Sequence, residues 1–147
     1  MGKIKFTAII PARSGSKGIK NKNIKYFLNI PLLVHSINFA KKLKFVDQII
    51  VSTDSQKFAN IAKKAGAEVP FLRSKLASND DSMEKDVLKD IKINCIKNKY
   101  KINNNVLWLR PTSPLRDVGN FKTAYNLFCQ KRKSVLICTQ TESRIFF

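Results

Sequence analysis

The chain has 147 residues, 44% of them hydrophobic and 26% charged, with 28 Lys and Arg against 10 Asp and Glu and a formal net charge of +18. That size and balance suit one soluble globular domain and exclude a disordered tail. No apolar run approaches the ~20 residues that cross a bilayer, and the amino-terminal residues lack a signal h-region or a myristoylation signal, so the expected location is cytoplasmic, with no membrane partner.

Residues 5–10, KFTAII, open the chain with a β-branched run that reads as a strand. Pro31 suits the first turn of a helix running to about Leu43, with Leu33, Ile37 and Ala40 on one face. Residues 48–53, QIIVST, form the second predicted strand. Ser55 caps a second helix that ends on Gly66 as a left-handed C′ residue. A third strand is expected over 67–72, AEVPFL. A helix over 82–98 follows, with Met83, Val87, Leu88, Ile91 and Cys95 on its apolar stripe. Residues 105–109, NVLWL, give a fourth strand containing Trp108, read as core. Asp117 caps a fourth helix carrying Phe121, Ala124, Tyr125 and Phe128, and residues 134–139, SVLICT, give a fifth strand. Strands alternating with helices predict an α/β fold, a three-layer, doubly wound and mostly parallel sheet.

In such sheets ligands bind beyond the carboxyl ends of the strands, where this sequence concentrates its unusual residues. The loop after strand one, PARSGSKGIKNKN, sets Arg13, Lys17, Lys20 and Lys22 close together with Gly15 and Gly18. Backbone N–H groups freed by glycine and a guanidinium fork both suit phosphate. The spacing is neither a Walker A nor a dinucleotide fingerprint, and the competing reading is a solvated basic turn. Arg110, Thr112 and Ser113 follow strand four in RPTSP. Arg110 can grip a carboxylate ligand bidentately or form a structural ion pair with a carboxylate such as Asp54 or Asp80, and Thr112 and Ser113 either donate to a ligand or stiffen a turn. Asp54, in STDS, reads as a nucleotide contact or as part of a plain helix cap. His35 has no partner in the sequence and reads as a packed helix residue. Cys95, Cys129 and Cys138 show no metal-ligand spacing and read as free thiols.

Two stretches resemble one family. IIPARSGSKGIKNKNI is similar to the first signature of the acylneuraminate cytidylyltransferases, through Pro11, Ala12, Arg13, Ser16, Lys17, Gly18, Lys22 and Asn23. LWLRPTSPLR, 107–116, is similar to the family's second signature, with Arg110 where glutamine is typical, and a looser likeness runs through IIVSTDSQKFANIAKKAGAEVPFLR and LASNDDS. The resemblance implies a nucleotidyltransferase-type, Rossmann-like fold. It also implies an enzyme that moves CMP from CTP to the anomeric hydroxyl of a nine-carbon 2-keto sugar acid and releases pyrophosphate. It assigns the nucleotide to Arg13, Ser16, Lys17, Lys22, Asn23, Arg73 and Ser82, with Arg13 and Lys17 opposing the charge of the departing pyrophosphate. Arg73 has the competing reading of a surface arginine capping a strand. The resemblance assigns the sugar to Arg110, Thr112 and Ser113, and leaves CMP-Kdo, legionaminic and pseudaminic acid cytidylyltransferases open beside the sialic acid enzyme.

The family uses Mg2+, held by acidic residues near its carboxyl end, and forms homodimers by exchanging a segment there. A chain stopping at Phe147 on ESRIFF is therefore expected to be one α/β domain incomplete at that end, a truncation lacking those ligands and impaired in turnover even where it binds CTP, with the dimer doubtful and no metal residue named. Asp80 and Asp81 are weak candidates. A basic α/β module for nucleic acid is the alternative of another class. Most aromatics fall on core faces instead of interleaving with basic residues, so no nucleic acid is expected as partner.

Overall fold

The computed structural model describes residues 4–15, 18–79 and 82–138. The chain divides into two compact units, residues 1–116 and 117–147. The first unit is built on a parallel sheet of β1 (Phe6–Pro11), β4 (Val46–Ser52) and β5 (Asn105–Trp108), in the order β4-β1-β5. Between β1 and β4 lie a 3-10 turn (Lys22–Ile24), a hairpin of β2 (Tyr26–Phe27) and β3 (Ile30–Pro31), and α1 (Leu32–Lys41). Helix α2 (Gln56–Lys64) follows β4, and α3 (Glu84–Lys97) precedes β5.

β1 is central because it is apolar on both faces: Ala8, Ile9 and Ile10 are fully buried. Ile9 packs with Val87, Ile91 and Cys95 of α3. Its neighbours face the other side by strand alternation, where α1 packs against β1, β4 and α2. Leu33, Ile37 and Ala40 of α1 are all buried, as their helical spacing requires. Thr7, a buried polar residue in this strand, is satisfied: its Oγ1 donates to Gln48 at 2.8 Å and accepts from the Asn103 backbone N–H at 2.9 Å.

The caps follow the sequence. Ser55 accepts from the Phe58 N–H at the start of α2. Gly66 ends it with φ 82°, where a Cβ would stand 2.7 Å from Lys41 Nζ. That lysine donates to the Ala65 carbonyl at 2.7 Å, so one side chain of α1 closes the end of α2. The second unit contains α4 (Val118–Lys131), capped by Asp117, which accepts from Asn120 N–H at 2.8 Å.

Several expectations need correction. Only Glu68 of residues 67–72 pairs with β4, through one parallel bridge to Ile50. Pro70 has no N–H to extend the ladder, and Phe71 turns instead to meet the Tyr100 ring edge-on at 6.5 Å. Residues 134–138 have no regular structure, and no described strand of their unit is available to pair with them; Thr139 lies outside the described residues. Of the stripe expected on α3, Met83 and Leu88 are exposed, because the helix starts one residue after Met83 and turns Val87, Ile91 and Cys95 inward. The hairpin was not legible as such: its turn puts Leu28 at φ 48° and Asn29 at φ 60°, and only asparagine favours that region.

Candidate functional site

Parallel pairing brings three strand ends to one edge. Pro11 lies opposite Ser52, and Ile9 lies opposite Trp108. A cleft of about 490 Å³ lies at this edge. Arg13, Lys22 and Asn23 come from the loop after β1, Arg73 and Ser82 from the segment before α3, and Arg110 and Thr112 from the loop after β5. Seven residues singled out in the sequence therefore converge on one surface, although the chain separates them by up to about a hundred positions. Ser16, Lys17, Asp80 and Asp81 lie outside the described residues.

The first loop is held from several sides. Both oxygens of Asp54, just past β4, accept from Ser14: Oδ1 from its backbone N–H at 2.8 Å and Oδ2 from its hydroxyl at 2.9 Å. Asn23 is buried, and its side-chain amide donates to the Arg13 carbonyl at 3.0 Å. The Arg13 guanidinium donates across the cleft to the Asn79 carbonyl at 2.9 Å. Asp54 is thus engaged with the loop, beyond the capping sequence in which it sits.

Arg73 is not the surface residue that its competing reading describes. It is only 7% exposed, and it donates through Nε to Ser52 Oγ at 3.0 Å and through a terminal nitrogen to the Ser52 carbonyl at 2.6 Å. Burial lowers its pKa, the carboxylates of Asp54 and Asp90 act against that, and Arg13 adds to it. A buried guanidinium tied to the last residue of β4 is a fixed positive charge in the wall of the cleft. The Ser82 hydroxyl donates to the Leu76 carbonyl at 2.8 Å and closes the turn that carries Asn79.

Arg110 pairs with a carboxylate, as one of its two readings expects, but with Glu84 instead of Asp54; Asp80 lies outside the described residues. The Arg110 guanidinium meets Glu84, the first residue of α3, with Nη2 at 2.6 Å and Nε at 2.7 Å from one carboxylate oxygen. Both side chains are largely exposed. The backbone of the same loop is tied by a residue that sequence reasoning left without a role. Arg116 donates to the Arg110 carbonyl and, at 3.2 Å, to Ser36 Oγ, and it lies 5.6 Å from the Phe39 ring centre. The arginine ending the PTSPLR run was the available signal. Thr112 faces the cleft, whereas Ser113 contributes a backbone N–H to the Arg110 carbonyl at 3.2 Å, in a turn around Pro111.

Trp108 serves both core and site: it packs beside Ile9 and Val87 and also lines the cleft. Its indole nitrogen is buried without a partner among the described residues. His35 is half-buried, its ring 2.7 Å from the Phe27 carbonyl, which fixes the hairpin to α1. The described residues do not fit a magnesium site. No group of three or more His, Cys, Asp or Glu is arranged for one among them. Glu84 is the only carboxylate among the described cleft residues, and it is spent on Arg110.

Among the described residues the cleft thus carries four cationic side chains, Arg13, Lys22, Arg73 and Arg110, against one carboxylate, which suits a ligand with several negative charges. Residues 7–116 match a family model described as cytidylyltransferase. A pseudaminic acid cytidylyltransferase of Campylobacter jejuni is 35% identical over 133 residues, covering 90% of this chain and 57% of that protein. An N-acylneuraminate cytidylyltransferase of Escherichia coli is 33% identical over 139 residues, covering 95% of this chain and 32% of that protein. Among solved structures, a CMP:2-keto-3-deoxy-manno-octonic acid synthetase complexed with CTP aligns with a TM-score of 0.71 at 18% identity, over 87% of this chain and 48% of that one. The chain therefore spans about half, or less, of the length of these proteins. Among the described residues, no helix is long and apolar enough to cross a membrane.

Proposed function

The chain belongs to the cytidylyltransferase family, and from that membership we propose that it binds CTP and transfers CMP to a sialic-acid-like 2-keto sugar acid. The observation that carries this reading is the convergence of Arg13, Lys22, Asn23, Arg73 and Ser82 on one cationic cleft at the carboxyl edge of the sheet. In the reaction, the anomeric hydroxyl oxygen attacks the α-phosphorus and its proton is released. The bond from that phosphorus to the bridging oxygen breaks, and pyrophosphate departs with the negative charge. Arg13 and Lys22 stand on the loop that would face the phosphates. A fixed guanidinium there stabilises the departing charge more than the ground state. The sequence adds Ser16 and Lys17 to this group, and gives Lys17 the same role as Arg13. Buried Arg73, held rigidly by Ser52, supports the base end of the nucleotide.

Arg110, Thr112 and Ser113 are assigned to the sugar acid, whose carboxylate Arg110 would take in place of Glu84. Pseudaminic, legionaminic and Kdo-type acids are the alternatives to a sialic acid. Magnesium is proposed as the ion accompanying CTP, with donors other than the described residues.

The test is pyrophosphate release by the full chain from CTP, with N-acetylneuraminate, pseudaminate, legionaminate or Kdo as acceptor. CTP-dependent release that requires one of these acids supports the reading. Release with none of them, or equal use of ATP, overturns it.

A further inference from the structure

We propose that Asp54 is a positioning residue for the nucleotide: it latches the first loop through Ser14 and so sets the phosphate-facing groups without itself touching the ligand. This rests on the reading of the cleft as a CTP site. Three observations carry it. Both carboxylate oxygens of Asp54 are engaged by Ser14, one by the backbone N–H and one by the hydroxyl, at 2.8 and 2.9 Å. Ser14 adjoins Arg13, whose carbonyl is held by Asn23 and whose guanidinium reaches Asn79. Asp54 is not among the residues lining the cleft, while Arg13 and Asn23 are.

The physical consequence separates latch from charge. A carboxylate near a cleft for a polyanion opposes binding by simple electrostatics, and Asp54 also acts on buried Arg73. Removing its charge alone would favour an anionic ligand. Removing its hydrogen bonds would let the loop leave the conformation that holds Arg13. The two effects have opposite signs, so two substitutions resolve them. Asp54→Asn removes the charge but keeps both contacts, because its amide oxygen accepts from the Ser14 N–H and its NH2 donates to the Ser14 hydroxyl. Asp54→Ala removes both.

The experiment measures CTP affinity of the full chain by fluorescence of Trp108, the one tryptophan, which lines the cleft. Melting temperature and exchange of the Ser14 amide without ligand are followed beside it. The latch predicts that Asp54→Ala weakens CTP about tenfold, that Ser14→Ala weakens it about threefold, and that Asp54→Asn binds as well as the parent or better. It also predicts that Asp54→Ala costs less in the Ser14→Ala background than in the parent. Tighter binding by both Asp54 variants would show a role through charge alone and overturn the latch. Equal losses in Asp54→Asn and Asp54→Ala would show direct contact with ligand or ion and overturn it too. If the parent binds no CTP, the reading of the cleft fails and this proposal falls with it. In that case faster Ser14 exchange in Asp54→Ala still reports the loop contact by itself.

Discussion

Arg110 is the residue on which acceptor choice is proposed to turn. Its exposed pair with Glu84 is worth little by itself, because solvent screens both partners and ordering two long side chains costs entropy. A ligand carboxylate can therefore displace Glu84 at small cost. Arg110→Ala is expected to raise the KM for the sugar acid about tenfold or more while leaving that for CTP within about twofold. Steady-state kinetics with each substrate varied in turn decides this, and the opposite pattern would move Arg110 to the nucleotide side. Arg73 differs because it is buried and doubly bonded to Ser52. Arg73→Ala should cost about 2–3 kcal/mol of folding stability through stranded acceptors and a cavity, and should weaken CTP as well. Arg73→Lys keeps the charge but cannot reproduce the fork, and chemical denaturation should place it between the two. The sequence exposed these residues because each follows an apolar run, a strand before Arg110 and an expected strand that does not form before Arg73. It could not show that Arg73 is buried or that Glu84 is the partner of Arg110, since both facts depend on how α3 seats beside β5.

At the level of elements, β1 was readable as an apolar run, α1 from the shared face of Leu33, Ile37 and Ala40, and α2 because its periodicity, the Ser55 cap and the terminal Gly66 agree. Gly66→Ala tests that agreement. With φ at 82° and Lys41 Nζ in the way, the substitution should destabilise by about 1–2 kcal/mol, seen as a lower melting temperature. The β2–β3 hairpin is the counterexample, because Leu28 occupies a left-handed position that its own chemistry disfavours. The side chain is 73% exposed, so little packing would be lost on removing it. Leu28→Gly should stabilise by about 0.5–1 kcal/mol, the relief of strain being offset in part by greater freedom of the unfolded chain. An unchanged or lower melting temperature would show that the exposed leucine has another role. The strand predicted at 67–72, and residues 134–138 of the one predicted at 134–139, failed for a related reason: β-propensity needs a partner edge with available donors, and composition alone does not supply one.

For the whole molecule, the family match and the first compact unit both end at Arg116. The sheet, the cleft and the residues proposed for CTP belong to that unit. The net charge of +18 gains a use beyond composition, since a cationic cleft within a basic surface draws in an anionic nucleotide from a distance. Association of CTP should slow several-fold between about 0.05 and 0.3 M salt, whereas uncharged cytidine should be nearly indifferent. Stopped-flow fluorescence measures both, and equal salt sensitivity would remove long-range steering from the account.

Cys95 offers a way to time motion of the cleft wall. It lies on the inner face of α3, packed beside Ile9, and burial raises the pKa of its thiol. The same helix begins at Glu84 and contributes Val87 to the cleft. A thiol reagent can modify Cys95 only when α3 lifts from the sheet, whereas exposed Cys138 reacts at once. The slow phase of labelling thus becomes a clock for separation of that wall, and a bound ligand bridging Arg13 and the start of α3 should slow it.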